Sequence, residues 1–222
     1  MLSLFAASSA FSLNAAVPTA YAPAATRAIV PAMMAKGNDA ISFGELDGSD
    51  MKIGIIKARW HEETIDSLVS GAKEALMSTG VKEENIFVTE VPGSFELPLA
   101  TRLLAMSGTV DAIIPMGVLI KGDTYHFEVI ADTVTSALMS VGLQTSIPVI
   151  FGVLTVNTEE QAKDRSTGSN NHGSQWGKAA VEMATLRASA LGKKAKKNFF
   201  GFGEAADVDS SSSSLDKSKI GF

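Results

Sequence analysis

Ala112-Ile113-Ile114-Pro115-Met116-Gly117-Val118-Leu119-Ile120-Lys121-Gly122-Asp123-Thr124-Tyr125-His126 carries an unbroken apolar run into a polar glycine turn and on into a helical stretch. An apolar run without alternation, closed by turn residues, reads as a β-strand covered on both faces, here Ala112 to Leu119. Downstream, Val129, Ile130, Val134, Ala137, Leu138 and Val141 recur at three- and four-residue spacing, which predicts a helix with one apolar face. A strand that leads through a helix to another such strand needs a right-handed crossover, and the product is a parallel sheet.

The same unit recurs on both sides of this stretch. Lys52 to Ala58 is a short Ile-Gly run followed by Ile65, Leu68, Val69, Ala72, Ala75 and Leu76 at helical spacing. Ile86 to Val91 is the next strand and Phe95 to Met106 the next helix, with Pro98 tolerable in its first turn. Pro148 to Leu154 is the fourth strand. Glu159 to Arg165 and Ser174 to Ala190 complete the helices, the last with Trp176, Ala179, Ala180 and Met183 expected to face inward. The alternation predicts an α/β fold with one four-stranded parallel sheet between helical layers. Ligands in such folds bind beyond the carboxyl ends of the strands. Four segments should therefore line one rim: 58–61, 91–96, 120–126 and 154–156.

The chemistry in those segments is specific. At Gly122-Asp123-Thr124 the start of a helix offers unpaired N–H groups and the positive end of the helix dipole to an anion. His126, one of three histidines in the chain, stands in the first helical turn, where an imidazole can exchange a proton near neutral pH. A plainer reading stands beside this one: Asp123 or Thr124 caps the helix and His126 is an ordinary surface residue. Trp60 follows a strand directly, in a place suited to a flat platform for a heterocycle or to a loop anchor. Glu96 begins a helix, where a carboxylate is favoured by the dipole alone. Arg165 near a helix end either caps carbonyls or forms a bidentate pair with a phosphate. Phe151 lies in the fourth strand and reads by default as core.

Composition removes several classes of function. The 222 residues contain no cysteine, so disulfides, thiolate metal sites and cysteine nucleophiles are out. A net charge of −5 argues against general nucleic-acid affinity. His61, His126 and His172 lack metal-ligand spacing, and neither a dinucleotide glycine fingerprint nor a Walker loop occurs. Residues 1–38 contain no Asp or Glu and carry an apolar, alanine-rich run from Leu2 to Ala16, which reads as a targeting peptide directed to a plastid. After Leu191 come four lysines between Lys193 and Lys197 and five serines from Ser210 to Ser214, so residues 192–222 are expected to form a flexible tail.

Four motifs in order give the chain a family resemblance. They are Val91-Pro92-Gly93-Ser94-Phe95-Glu96-Leu97-Pro98, Gly117 to His126, Pro148 to Thr155, and Glu160-Gln161-Ala162 with Arg165 and Asn171-His172-Gly173. Over residues 41–191 the chain resembles lumazine synthase. The resemblance implies a flavodoxin-like three-layer αβα sandwich. It also implies the penultimate step of riboflavin biosynthesis, in which 5-amino-6-(D-ribitylamino)uracil condenses with 3,4-dihydroxy-2-butanone 4-phosphate to 6,7-dimethyl-8-ribityllumazine, phosphate and water, without metal or organic cofactor. By the same likeness, Trp60 stacks on the pyrimidine, Ser94, Phe95 and Glu96 bind the ring and its ribityl chain, and Val118, Leu119 and Ile120 line the pocket. Gly122, Asp123 and Thr124 hold the phosphate with Arg165, and His126 moves protons. Three positions depart from the common family pattern: His61 replaces Asn, His172 replaces Lys, and Asp123 replaces a small neutral residue.

The resemblance further implies a site shared between subunits, with Phe151, Arg165 and His172 supplied by a neighbour. The working unit is then a pentamer or a 60-subunit shell, the shell favoured by the short turn Ser166–Asn170, with no nucleic-acid or membrane partner for the mature chain. Two other functions rest on the same residues, a non-catalytic flavin or lumazine binder and an architectural cage.

Overall fold

A computed structural model describes residues 42–192, so the presequence and tail readings lie outside the described residues apart from Gly192. Four strands, β1 (Ile53–Ala58), β2 (Ile86–Val91), β3 (Ala112–Ile120) and β4 (Gly152–Val156), form one parallel sheet in the order β2-β1-β3-β4. Five helices follow the strands: α1 (Glu62–Ser78), α2 (Leu97–Met106), α3 (His126–Thr145), α4 (Glu159–Ser166) and α5 (His172–Ala190). The chain steps from β1 outward to β2, then back across β1 to β3 and on to β4. With right-handed crossovers that reversal sends α1 to one face and α2 and α3 to the other. Packing agrees: α1 lies against α5 and α4, and α2 lies against α3. The expected three-layer αβα sandwich is the observed fold.

The core lies on both faces of the two central strands. Ile53, Ile55 and Ile56 of β1 and Ile113, Ile114 and Met116 of β3 are fully buried. Each such side chain contributes about 1.5–3 kcal/mol of burial free energy. Leu68 and Leu76 of α1, Leu97 of α2 and Val134 and Leu138 of α3 close the two interlayer spaces. Between α1 and α5 the backbones approach closely, because a Cβ placed on Gly173 or Gly177 would lie 2.0 Å from Leu68 O or 2.7 Å from Ala72 O.

Three readings change. The fourth strand runs 152–156 rather than 148–154, with Val149 paired to Ile113 only through an isolated bridge. Ile113 N donates to Pro148 O and Ile150 N to Ile113 O, so the odd-numbered residues of β3 face β4. Pro115 is the next of them, it has no N–H to give, and the ladder is interrupted opposite it. Phe151, expected as core, stands in that gap and is 40% exposed. On the helices, Val129 and Met183 point outward, and the buried face of α5 is Gly173, Gly177, Ala180, Val181 and Ala184.

A candidate active site in two halves

The connections reverse between β1 and β3, and a fold of this kind opens its ligand crevice at such a switch point. Trp60 flanks that point from β1 and the 122–126 segment flanks it from β3. Arg59 N donates to Val91 O (3.0 Å), which joins the ends of β1 and β2. Below it, Lys57 Nζ lies 2.7 Å from Asp66 and 3.0 Å from Glu90, linking β1, α1 and β2. Hydrogen bonds to Asp66, and then to Glu90, hold the Lys57 ammonium above its usual pKa. The rim is therefore fixed before any ligand arrives.

Trp60 leaves this frame with 73% of its surface exposed. The next residue, His61, has φ 63° and ends the turn in the left-handed region, where histidine is tolerated better than most side chains. Ser94, Phe95 and Glu96 form one 3-10 turn before α2. A Cβ on Gly93 would lie 3.3 Å from both Glu96 Oε2 and Trp60 Cδ1, so the carboxylate and the indole edge converge beside a bare backbone. Ser94 is buried against β3, where a Cβ on Gly117 would come within 2.5 Å of its Oγ. Phe95 projects outward, 62% exposed. Val118 is buried, and Leu119 and Ile120 are half-buried at the strand end.

Beyond β3, Lys121 N donates to Val156 O (2.9 Å), and Gly122, Asp123 and Thr124 then cross exposed to the start of α3. Nothing in the described chain approaches the Cβ direction of Gly122 within 4 Å, leaving its backbone open to a ligand. Thr124 Oγ1 accepts from His126 N at 3.4 Å; Tyr125 is the cap residue and makes no side-chain cap bond. Thr124 is thus a weak cap, as the plainer reading expects, Asp123 makes no cap bond, and both stand exposed with His126. Lys121 Nζ pairs with Glu128 Oε1 at 2.8 Å. That pairing raises the Lys121 pKa and, with the residue's own backbone N–H, lowers that of Glu128.

The remaining predicted residues gather elsewhere. Phe151, Val153, Thr155, Arg165, His172 and Trp176 line a cleft of about 250 Å³ along β4, the sheet edge opposite β2. Three strand spacings, about 14 Å, separate the β2 and β4 edges. Segment 154–156 is the end of β4, where Val156 pairs with Ile120, so its last residue reaches the rim beside the glycine turn. Arg165 is set by α4, whose Thr158 cap accepts from Gln161 N while Gln161 Oε1 accepts from Asn157 N. Its Nη1 donates to Gln161 O (3.1 Å) and lies 4.0 Å from Asp164 Oδ2. His172 opens α5, which Asn171 caps by accepting from Gly173 N. Its ring meets Trp176 edge-on, with centroids 6.2 Å apart. Burial, then the Arg165 charge, lowers the His172 pKa, against a smaller opposing pull from Asp164.

Sequence reasoning missed Trp176, taken as core, and the Lys121–Glu128 pair. The first stands one helical turn from His172; the second is visible as opposite charges at the two ends of the glycine turn.

The profile of the 6,7-dimethyl-8-ribityllumazine synthase family matches residues 50–188. The chain is 45% identical over 180 residues to the 6,7-dimethyl-8-ribityllumazine synthase of Pyricularia oryzae, covering 64% of this chain and 90% of that one. It is 49% identical over 142 residues to the enzyme of the same name from Schizosaccharomyces pombe, covering 63% and 89%. Matches that span nearly the whole of both relatives and take in both halves of the site place this chain in the 6,7-dimethyl-8-ribityllumazine synthase family.

Proposed function

We infer that the chain makes 6,7-dimethyl-8-ribityllumazine in riboflavin biosynthesis by condensing the ribitylaminouracil amine with the four-carbon ketose phosphate, and that it does so in a pocket completed by a second copy. One observation carries the shared pocket: the exposed indole, the open glycine turn and His126 stand at the switch point, while Arg165 and His172 line a separate cleft along β4, an edge strand of the same sheet. A heterologous contact brings the β4 edge of one copy to the rim of the next, and repetition closes a ring.

In that pocket Trp60 stacks on the pyrimidine, with Phe95 beside it, and Ser94 and Glu96 accept its N–H and ribityl hydroxyl hydrogens. Val118, Leu119 and Ile120 form the pocket wall. The phosphate rests on the N–H groups of the 122–124 backbone at the positive end of α3, and Arg165 from the neighbour closes on it with a planar, bidentate fork. Phe151 and His172 of that neighbour border the cleft. His126 takes the proton released as the amine adds to the ketone and returns it to the departing water; it serves again when phosphate is eliminated and the ring closes. Holding two reactive partners in register supplies much of the acceleration.

The assembly we propose is a pentamer, and the short Ser166–Asn170 turn favours twelve of them in a shell. Leu99, Leu103 and Met106 on α2 and Met139 and Leu143 on α3 support association, since each exposes an apolar side chain on the outer helical layer. For residues 1–38 we propose plastid targeting, read from their acid-free composition and tested by fusing them to a fluorescent reporter.

The deciding assay incubates the purified protein with both substrates and follows lumazine absorbance. Product above the spontaneous rate supports an enzyme. A rate equal to the spontaneous one removes that function and leaves a binder or a cage.

A further inference from the structure

We propose that the Lys121–Glu128 ion pair is a positioning clamp that holds the 122–126 turn in its anion-binding shape, rather than a part of the phosphate contact. The clamp rests on the reading of that turn as the phosphate site. Lys121 and Glu128 are the residues at which the turn leaves the sheet and enters the helix, and their side chains meet at 2.8 Å. On the sheet side, Lys121 is fixed by its own N–H to Val156 O (2.9 Å), so the pair ties the first turn of α3 to a point anchored on β4. Between the two ends, the side-chain restraint among the described residues is the long 3.4 Å contact from His126 N to Thr124 Oγ1. Gly122 and its neighbours are exposed, and the Gly122 backbone touches no side chain at its open face.

The charges explain why the clamp differs from a ligand. Lys121 places its ammonium on Glu128 Oε1, and Glu128 Oε2 is covered, with no hydrogen-bond partner among the described residues. Lys121 is thus the side-chain partner of this carboxylate. A lysine serving the phosphate directly would have to divide its ammonium between the phosphate and this carboxylate. Removal of either member frees the turn, loosens the alignment of its N–H groups and weakens anion binding while leaving the sheet, the helices and the imidazole in place.

The test uses the assembled full chain and four proteins: wild type, Lys121→Met, Glu128→Gln and the double variant. Readouts are KM for the ketose phosphate, kcat, KM for the ribitylaminouracil, thermal midpoint, and binding of inorganic phosphate by calorimetry. Each single variant is expected to raise KM for the ketose phosphate and weaken inorganic phosphate binding by about tenfold, the scale of a lost charge-assisted contact. The double variant should be no worse than either single one, because the two residues act as one device. The uracil KM and the thermal midpoint should hardly move, and Lys121→Arg should keep wild-type values. Unchanged phosphate binding in both single variants overturns the clamp. So does a Glu128→Gln protein that binds phosphate more tightly while Lys121→Met binds it less, since that pattern makes Lys121 a direct ligand. A wild type that forms no lumazine defeats the functional reading alone, and calorimetry with inorganic phosphate still decides the clamp.

Discussion

His126 and Arg165 hold opposite halves of the proposed chemistry, and their variants should fail differently. His126→Ala is expected to lower kcat by about 10²–10⁴, the usual share of a positioned acid–base group, with little change in product affinity. Steady-state kinetics with a fluorescence titration checks this, and a collapse of affinity would give His126 a binding role instead. His172 adds a dependence on acid. Its folded pKa lies below the ordinary value of about 6.5, so in the window between them the unfolded chain binds the extra proton. Stability therefore falls as pH drops through that window and is regained above it. His172→Gln should flatten the fall in thermal midpoint as pH drops below the ordinary histidine range; an unchanged slope would assign the acid sensitivity to other groups.

Packing between elements shows what a sequence discloses and what it hides. β1 and β3 differ from their expected bounds by one residue, because strands covered on both faces must be continuously apolar; Ile86–Val91 has its expected bounds although Phe87 to Glu90 are exposed. The displaced start of β4 depends on the N–H that Pro115, thirty-odd residues away, does not have, which no local pattern of 148–154 contains. Rim residues after β1, β2 and β3 were legible for the same reason as the strands, since ligand-facing loops follow strand ends. The gathering of Phe151, Arg165, His172 and Trp176 along β4 was not legible from spacing, because it depends on how α4 and α5 return to the sheet. Gly173 looks unremarkable in sequence, yet a Cβ there would overlap the Leu68 carbonyl of α1. Gly173→Ala should destabilise the fold by about 1–3 kcal/mol through overpacking, measured by urea denaturation; a loss below that range would mean α5 shifts without strain.

Over the whole molecule, the apolar stripes of α2 and α3 are doubled. One stripe faces the sheet; the other, with Leu103 and Leu143 62% and 75% exposed, faces away from it. Periodicity records that both exist without saying which is covered by the chain itself, and so Val129 was assigned to the core face. A copy-to-copy contact explains the second stripe. Leu103→Glu with Leu143→Glu should lower the mass seen by light scattering and lower activity with it, while circular dichroism stays that of the folded chain. Dissociation without loss of activity would place a complete site in one subunit.

The most direct test of the shared pocket mixes two inactive proteins. His126→Ala retains the β4 edge with Arg165, and Arg165→Ala retains the rim with His126. Unfolded together in equal amounts and reassembled, they should recover about a quarter of wild-type activity, because that fraction of head-to-tail contacts joins an intact rim to an intact edge. A mixture no more active than its separately refolded parents would contradict a site divided between neighbouring copies.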